Sequence, residues 1–291
     1  MKKISYTLIL SALLLSACTN EDMPLDLDGL FSTGSEPVNT RFEQSMAYNQ
    51  TVGEIHLDMG SDDYDIYSCA DSHITRKAHK NLAYFINQYN AASTPKLALH
   101  LGDIIDAQKN FPCADSILSL ANDALFITPG NHDLYFNQWE IFRSYYHTGT
   151  YWFDTNNGTK KLDLFICLDS GDGTLGTKQT EWLRELLRTK SQEGYRRIIV
   201  FTHTHFWKLD NSQGHTSNFS MEETYELATL LAQNGVDWVW SGHQHARQYV
   251  QYKGVKYLVL DATKDSESGL SYTVIHMGDN MSYQFYNYPK D

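Results

Sequence analysis

The chain has 291 residues, 42% of them hydrophobic and 13% aromatic, which is enough to bury one substantial core. Its formal net charge is -12. So acidic a chain is a poor partner for a nucleic-acid backbone, which rewards clustered Lys and Arg, and no nucleic-acid partner is expected. Its four cysteines, Cys18, Cys69, Cys113 and Cys167, match no zinc-finger or CxxC spacing.

In chain order, Lys2 and Lys3 open the sequence and an apolar run from Ile4 to Leu15 follows. The run is too short to span a bilayer and reads as the core of an export signal. It ends in Leu15-Ser16-Ala17-Cys18, which resembles the lipobox of bacterial lipoproteins. That resemblance implies that Cys18 is acylated and becomes the new N-terminus. Residues 1–18 are thus expected to be a lipoprotein signal peptide. Residues 19–50 are expected to be a flexible tether, because acidic residues with Pro24, Gly29, Gly34 and Pro37 leave little to nucleate a core. The expected location is the bacterial cell envelope, lipid-anchored at the outer membrane and facing periplasm or surface, with the membrane touched through lipid alone.

A catalytic domain is expected over 51–291. Apolar strand candidates are Ile66–Cys69, Lys96–Leu101, Ala124–Thr128, Leu164–Leu168, Arg197–Phe201 and Trp238–Trp240. Amphipathic helices lie between several of them. Leu82, Phe85, Ile86 and Tyr89 recur at i, i+3, i+4, i+7, and Trp182, Leu183, Leu186 and Leu187 fill two turns. Ser220-Met221-Glu222-Glu223 is a capping box opening a helix that Gly235 can end. After Gly254, Val255–Leu260, Ser271–His276 and Met281–Tyr286 read as consecutive strands suited to antiparallel pairing. The alternation argues for an α/β fold with a largely buried sheet.

Five short blocks carry the chemistry: Asp71-Ser72-His73, Gly102-Asp103-Ile104-Ile105-Asp106, Gly130-Asn131-His132-Asp133, His203 within Thr202-His203-Thr204-His205, and Gly242-His243-Gln244-His245. Each follows directly on a strand candidate. Strand C-termini in an open α/β sheet share one rim, so the five blocks are expected to converge there. Asp, His and Asn without thiolates suit Mn, Fe, Zn or Mg. Two cations need a bridging anion, and Asp103 is the candidate bridge. Such a pair can clamp a phosphoryl oxygen and share a hydroxide, while a histidine protonates the leaving alkoxide.

In their order, these blocks resemble the calcineurin-like metallophosphoesterase superfamily, whose pattern runs DxH, GDxxD, GNH[D/E], a lone His, then GHxH. The resemblance covers about residues 60 to 290. It implies two packed mixed β-sheets flanked by helices, a four-layer α/β/β/α sandwich. It further implies that Asp71, His73 and His245 bind a first metal, that Asn131, His203 and His243 bind a second, and that Asp103 bridges both. His132 would be the general acid, oriented by a hydrogen bond to Asp106. Asp133 is read as a supporting partner, not a ligand. The cofactors implied are two divalent or trivalent ions, foremost Mn, Fe or Zn. Asp106 stands where purple acid phosphatases carry a tyrosine ligand, so an iron–tyrosinate centre is not expected. Ala107 stands where protein Ser/Thr phosphatases place an arginine, which weakens a phosphoprotein substrate.

The long polar and aromatic stretch from Thr204 to Phe219 is read as a wall of the substrate mouth, with His205, Lys208 and His215 as substrate contacts. His205 is also the alternative to His203 as a ligand. The expected activity is hydrolysis of small extracytoplasmic phosphate esters by in-line attack of a metal-bound hydroxide. The alternatives are a phosphodiesterase acting on nucleotides or nucleotide-sugars, a non-catalytic metal-binding lipoprotein, and, should a basic groove flank the rim, a nuclease.

Overall fold

The computed structural model describes residues 36–207 and 218–290. In chain order the strands are β1 (Ile55–Asp58), β2 (Tyr64–Cys69), β3 (Lys96–His100), β4 (Leu125–Ile127), β5 (Tyr151–Asn156), β6 (Lys161–Leu168), β7 (Arg197–Thr202), β8 (Trp238–Ser241), β9 (Gln248–Tyr252), β10 (Val255–Val259), β11 (Ser271–Met277) and β12 (Ser282–Asn287). The α-helices are α1 (Val38–Val52), α2 (Lys80–Ala91), α3 (Phe111–Leu118), α4 (Asn131–Leu134), α5 (Trp139–Tyr146), α6 (Gly176–Lys190) and α7 (Met221–Gln233).

Two mixed sheets result. One runs β1-β5-β6-β7-β8-β10-β9 and the other β12-β11-β2-β3-β4. Successive side chains of a strand point to opposite faces, and here both faces are buried. Ile66, Leu97 and Leu99 meet Phe165, Phe201 and Trp240 in the core between the sheets. Their neighbours turn outward: Cys69 and Ala98 pack under one helical layer, and Leu164, Ile166 and Val200 under the other. Phe126 of β4 stacks on Phe153 of β5 across the gap, with centroids 3.8 Å apart. This is the four-layer sandwich that the resemblance implied.

The helices cover the outer faces as their periodicity requires. Leu82, Phe85, Ile86 and Tyr89 of α2 are all buried on the five-stranded sheet. On α6 the buried stripe is Gln179, Leu183, Leu186 and Leu187. Trp182 is displaced from that stripe and lies 5.9 Å from Phe42 of α1, centroid to centroid. Ser220 caps α7 by accepting from Glu223 N at 3.1 Å. The reciprocal half of the box is absent, because the Glu223 carboxylate is taken by Leu175 N at 2.8 Å and by Thr174.

Two expectations need correction. The tether was drawn through residue 50, yet Val38–Val52 is a helix packed on α6 and β5. Its anchor is Arg41, fully buried on a salt bridge to Asp169. One arginine meeting a distant carboxylate leaves no hydrophobic periodicity to read. The signal peptide, Cys18 and residues 19–35 lie outside the described residues. The C-terminal strands also divide between the sheets. β11 and β12 pair antiparallel, but β10 runs parallel to β8 and forms a hairpin with β9, a strand not foreseen. Cys69 and Cys167 are free and buried, as small hydrophobes.

His100, at the end of β3, is fully enclosed beneath the rim and contacts Ser72. Burial pushes its pKa down from 6.5 to about 4. The unfolded chain takes up a proton at the ordinary value while the folded chain resists. This contribution to stability is complete above pH 6.5 and declines as the pH falls towards 4. In His100→Gln the loss of chemical-denaturation midpoint across that interval should be shallower than in the wild type. Parallel slopes would contradict the assignment.

Candidate metal centre

β2, β3 and β4 are mutually parallel, as are β7 and β8, so their C-terminal ends emerge on one rim. Each of the five blocks continues one of these strands, three from one sheet and two from the other. The loops are stitched together by backbone hydrogen bonds. Asp71 N donates to Gly102 O at 2.9 Å, His73 N to Asp103 O at 3.0 Å, and Gly242 N to His203 O at 3.0 Å. Gly102 has φ 84°, and a Cβ there would lie 2.6 Å from Gly130 N and 2.8 Å from His203 Nδ1. A Cβ on Gly130 would collide with Asp103. Glycine at both positions is what lets three loops touch.

The expected ligands are brought together in two groups. In the first, His73 Nε2 lies 3.0 Å from His245 Nε2, which lies 3.4 Å from Asp71 Oδ1. In the second, Asn131 Oδ1, His203 Nε2 and His243 Nδ1 are 2.9 to 3.1 Å from one another. Asp103 stands between them, with Oδ2 3.8 Å from His73 Nε2 and 3.4 Å from His203 Nε2. Its other oxygen accepts from the backbone of His132 at 2.8 Å. Asp71, His73, Asp103, His243 and His245 all have left-handed φ, from 44° to 70°. Non-glycine residues held there cost on the order of 1–3 kcal/mol each, and such strain clusters at functional sites.

The donor chemistry fits metal ions. His73 Nδ1 is 2.7 Å from Asp106 Oδ1, which holds the ring proton on that nitrogen and leaves a lone pair on Nε2. That lone pair faces another imidazole nitrogen. His203 Nδ1 likewise donates to Leu101 O at 2.8 Å, leaving Nε2 bare towards Asn131 Oδ1. The Asn131 amide nitrogen donates to Tyr135 Oη at 2.9 Å, which turns its oxygen inward. Lone pairs aimed at one another repel unless a proton or a metal ion lies between them.

The carboxylates also draw a proton: burial opposes charge on His203, yet Asp103, with Asp71 behind it, pushes its pKa up to about 9, so a cation would compete with that proton for Nε2. Burial also opposes ionisation of Asp103, but His203 and its neighbouring histidines hold that carboxyl far below the usual range. Burial, with repulsion from Asp103, pushes Asp133 up to about 7. The Asp133 carboxylate accepts from Gly130 N, Ile104 N and Ile105 N, which makes it a brace between two ligand loops. Among the described residues no Lys or Arg pairs with Asp71, Asp103, Asp106 or Asp133. The site concentrates negative potential that a cation would satisfy.

Several role expectations change. Asp106 was assigned to His132, but its Oδ1 is 3.8 Å from His132 Nδ1 and within hydrogen-bond distance of His73 instead. It orients His73, a candidate ligand. His203, not His205, joins the second group. His205 is buried, its ring centroid 5.7 Å from that of His243, so it packs against a candidate ligand from within the fold. Phe206, Trp207 and Phe219 are tucked into the core on the outer face of the larger sheet, while Lys208 and His215 lie outside the described residues. Tyr135 and Asn218 were missed. Tyr135 lies four residues after Asn131 on the same helical turn, a readable spacing. Asn218, whose amide is 3.2 Å from His243 Nε2, has no such signal.

Residues 64–247 match the family model for calcineurin-like phosphoesterases. No curated protein sequence matches the chain. Solved structures share the fold: a dimetal phosphatase from Danio rerio at 12% identity, covering 77% of this chain and 96% of that one, with a TM-score of 0.63. Purple acid phosphatase PPD1 from yellow lupin follows at 12% identity, covering 79% and 54%, with a TM-score of 0.55. GAP50, described as the anchor in the inner membrane complex of Plasmodium, has 14% identity, 78% and 85% coverage and a TM-score of 0.57.

Replacing Asp106 by Asn should weaken binding of Mn²⁺ or Zn²⁺ about ten- to a hundredfold, the usual cost of losing a partner that orients a ligand. Metal titration by calorimetry reads this directly. Unchanged affinity with a lowered kcat would return Asp106 to His132.

Proposed function

Because the chain belongs to the calcineurin-like phosphoesterases and is a metal-dependent phosphoric ester hydrolase, we propose that it works through two cations and cleaves small extracytoplasmic phosphate esters. The observation that carries this reading is Asp103, buried between two separate sets of inward-facing donors. Asp71, His73 and His245 would hold one ion, Asn131, His203 and His243 the other, and Asp103 both. Bound there, such ions lower the pKa of water and neutralise phosphoryl oxygens. Mn, Fe and Zn fit the nitrogen and oxygen donors.

The chain's own residues supply the rest. His132 is fixed by its backbone bond to Asp103, and its ring lies 4.7 Å from that of His73, edge to face. Its side chain is 38% exposed, against 3% for Asp103, so it stands on the open side of the centre. That position suits a group that hands a proton to the departing ester oxygen. His245 and Asp106 are part-exposed beside it and complete the opening. The ligands beneath are immobilised by hydrogen bonds from both sheets, which keeps the phosphoryl group aligned.

Phosphodiesters, including nucleotides and nucleotide-sugars, form a second reading with its own support. The described part of the site offers carboxylates and no Lys or Arg to pair with them, and a diester brings one negative charge where a monoester brings two. The extracytoplasmic setting rests on Lys2-Lys3, the apolar run and the lipobox ending in Cys18, by which the protein would be lipid-anchored in the bacterial envelope.

The metal-loaded protein should hydrolyse p-nitrophenyl phosphate or bis-p-nitrophenyl phosphate, and the ratio of the two rates separates the readings. Hydrolysis of neither with metals bound would mark a binding protein. His132→Ala should retain its metals and lose about 10²–10⁴ in kcat on alkyl esters, whose leaving groups need a proton. Wild-type turnover of alkyl esters by that variant would remove His132 from the role.

A further inference from the structure

Helix α1 lies upstream of the region that matches the family model, residues 64–247. It carries Arg41, whose side chain is fully enclosed. The guanidinium grips Asp169 with two bonds, Nε to Oδ2 at 2.7 Å and Nη2 to Oδ1 at 3.1 Å. Nη1 reaches Asp172 Oδ2 at 2.7 Å and also contacts Glu36 O. Docking a helix needs none of this. Apolar residues of similar volume often hold as well, because a buried ion pair must first offset the desolvation of both charges. What the fork does fix is the loop between its two carboxylates.

That loop, Asp169 to Gly173, touches residues adjacent to Asn131 and His203, and Asn218, which in turn meets His243. Gly171 packs against the Gly130 carbonyl and Leu134, the two ends of the turn that carries Asn131. A Cβ on Gly171 would come within 3.2 Å of Gly130 O and would overlap Leu134. Ser170 brackets His203 from both sides. Its Oγ accepts from Thr202 Oγ1 at 2.6 Å and from Thr204 N at 2.8 Å, and its carbonyl accepts from Thr204 Oγ1 at 2.8 Å. Gly173 abuts Asn218, where a Cβ would lie 2.7 Å from Asn218 Cβ, and Asn218 in turn meets His243 Nε2. Asp169 also braces the loop internally by accepting from Gly171 N at 3.2 Å.

We infer that Arg41 is a positioning residue for the second metal site, acting through the Asp169–Gly173 loop on Asn131, His203 and His243. This rests on the two-cation reading above. Among the described residues Asp71, His73 and His245 are held instead by Gly102, Asp103, Asp106, His243 and one another. The effect is therefore selective. Loss of Arg41 should loosen one ion and spare its neighbour.

The test compares wild type, Arg41→Met, Arg41→Lys and Asp172→Asn by Mn²⁺ titration, metal content after dialysis, and kcat and KM on a p-nitrophenyl ester. Wild type should bind two ions per chain. Arg41→Met should keep one at wild-type affinity and bind the other about ten- to a hundredfold more weakly. Its kcat should fall with KM little changed, and Arg41→Lys should recover part of both. Asp172 is part-exposed, so Asp172→Asn keeps the Asp169 pair and folds even where Arg41→Met does not. It should show a smaller loss of the same ion. Two ions bound at wild-type affinity by the folded variants, with only a lower melting temperature, would reduce Arg41 to a structural clamp and overturn the inference. Fewer than two ions in the wild type would overturn the two-cation reading, and the inference with it.

Discussion

Everything in this molecule is arranged around one carboxylate that ought not to be where it is. Asp103 is 2% exposed, sits in a left-handed backbone conformation and shares its surroundings with Asp71 and Asp133. A carboxylate so placed is costly unless positive charge answers it. Side chains supply some answer, through His203 and His73, but those rings are tied by their far nitrogens to Leu101 O and Asp106. Their near nitrogens face inward, where either a proton or a metal ion can answer the carboxylate. Two cations would supply more charge than the protonated rings do, and that is the physical basis for reading the rim as a metal centre.

Holding repelling groups this close requires a rigid support, and the two sheets supply it. Each central strand buries both faces, so the strand ends cannot splay without opening either the inter-sheet core or a helical layer. The ligand loops then cross-link one another through backbone bonds and the Asp133 brace. Helix α1 adds a further support from outside the family region, reaching the second donor group through the Asp169–Gly173 loop.

The central strands were legible because short apolar runs, most of them followed directly by a chemical block, leave few alternative readings. The seven candidate ligands stood out as a constellation, although Asp71 alone would pass for a strand end and Gly130-Asn131 for a turn. Other features were hidden for definite reasons. The partner of Asp106 depends on whether His73 or His132 comes within reach, which is decided by ring orientation and not by spacing. The role of His205 turned on burial. Helix α1 is docked by Arg41 and by scattered polar contacts to distant residues, with Phe42 against Trp182, and its polar composition read as a tether. β9 alternates part-buried and exposed residues on a sheet edge, so its pattern carried little weight. The carboxylate of Glu223 left its capping box for Leu175 N, a long-range competition that no local motif reveals.

The most direct measurement is anomalous diffraction from crystals grown with Mn²⁺. The account predicts two peaks on the rim, about 3.5–4 Å apart, with Asp103 coordinating both. One peak should be bounded by Asp71, His73 and His245, and the other by Asn131, His203 and His243. A single peak, or density that leaves Asp103 uncoordinated, would contradict it.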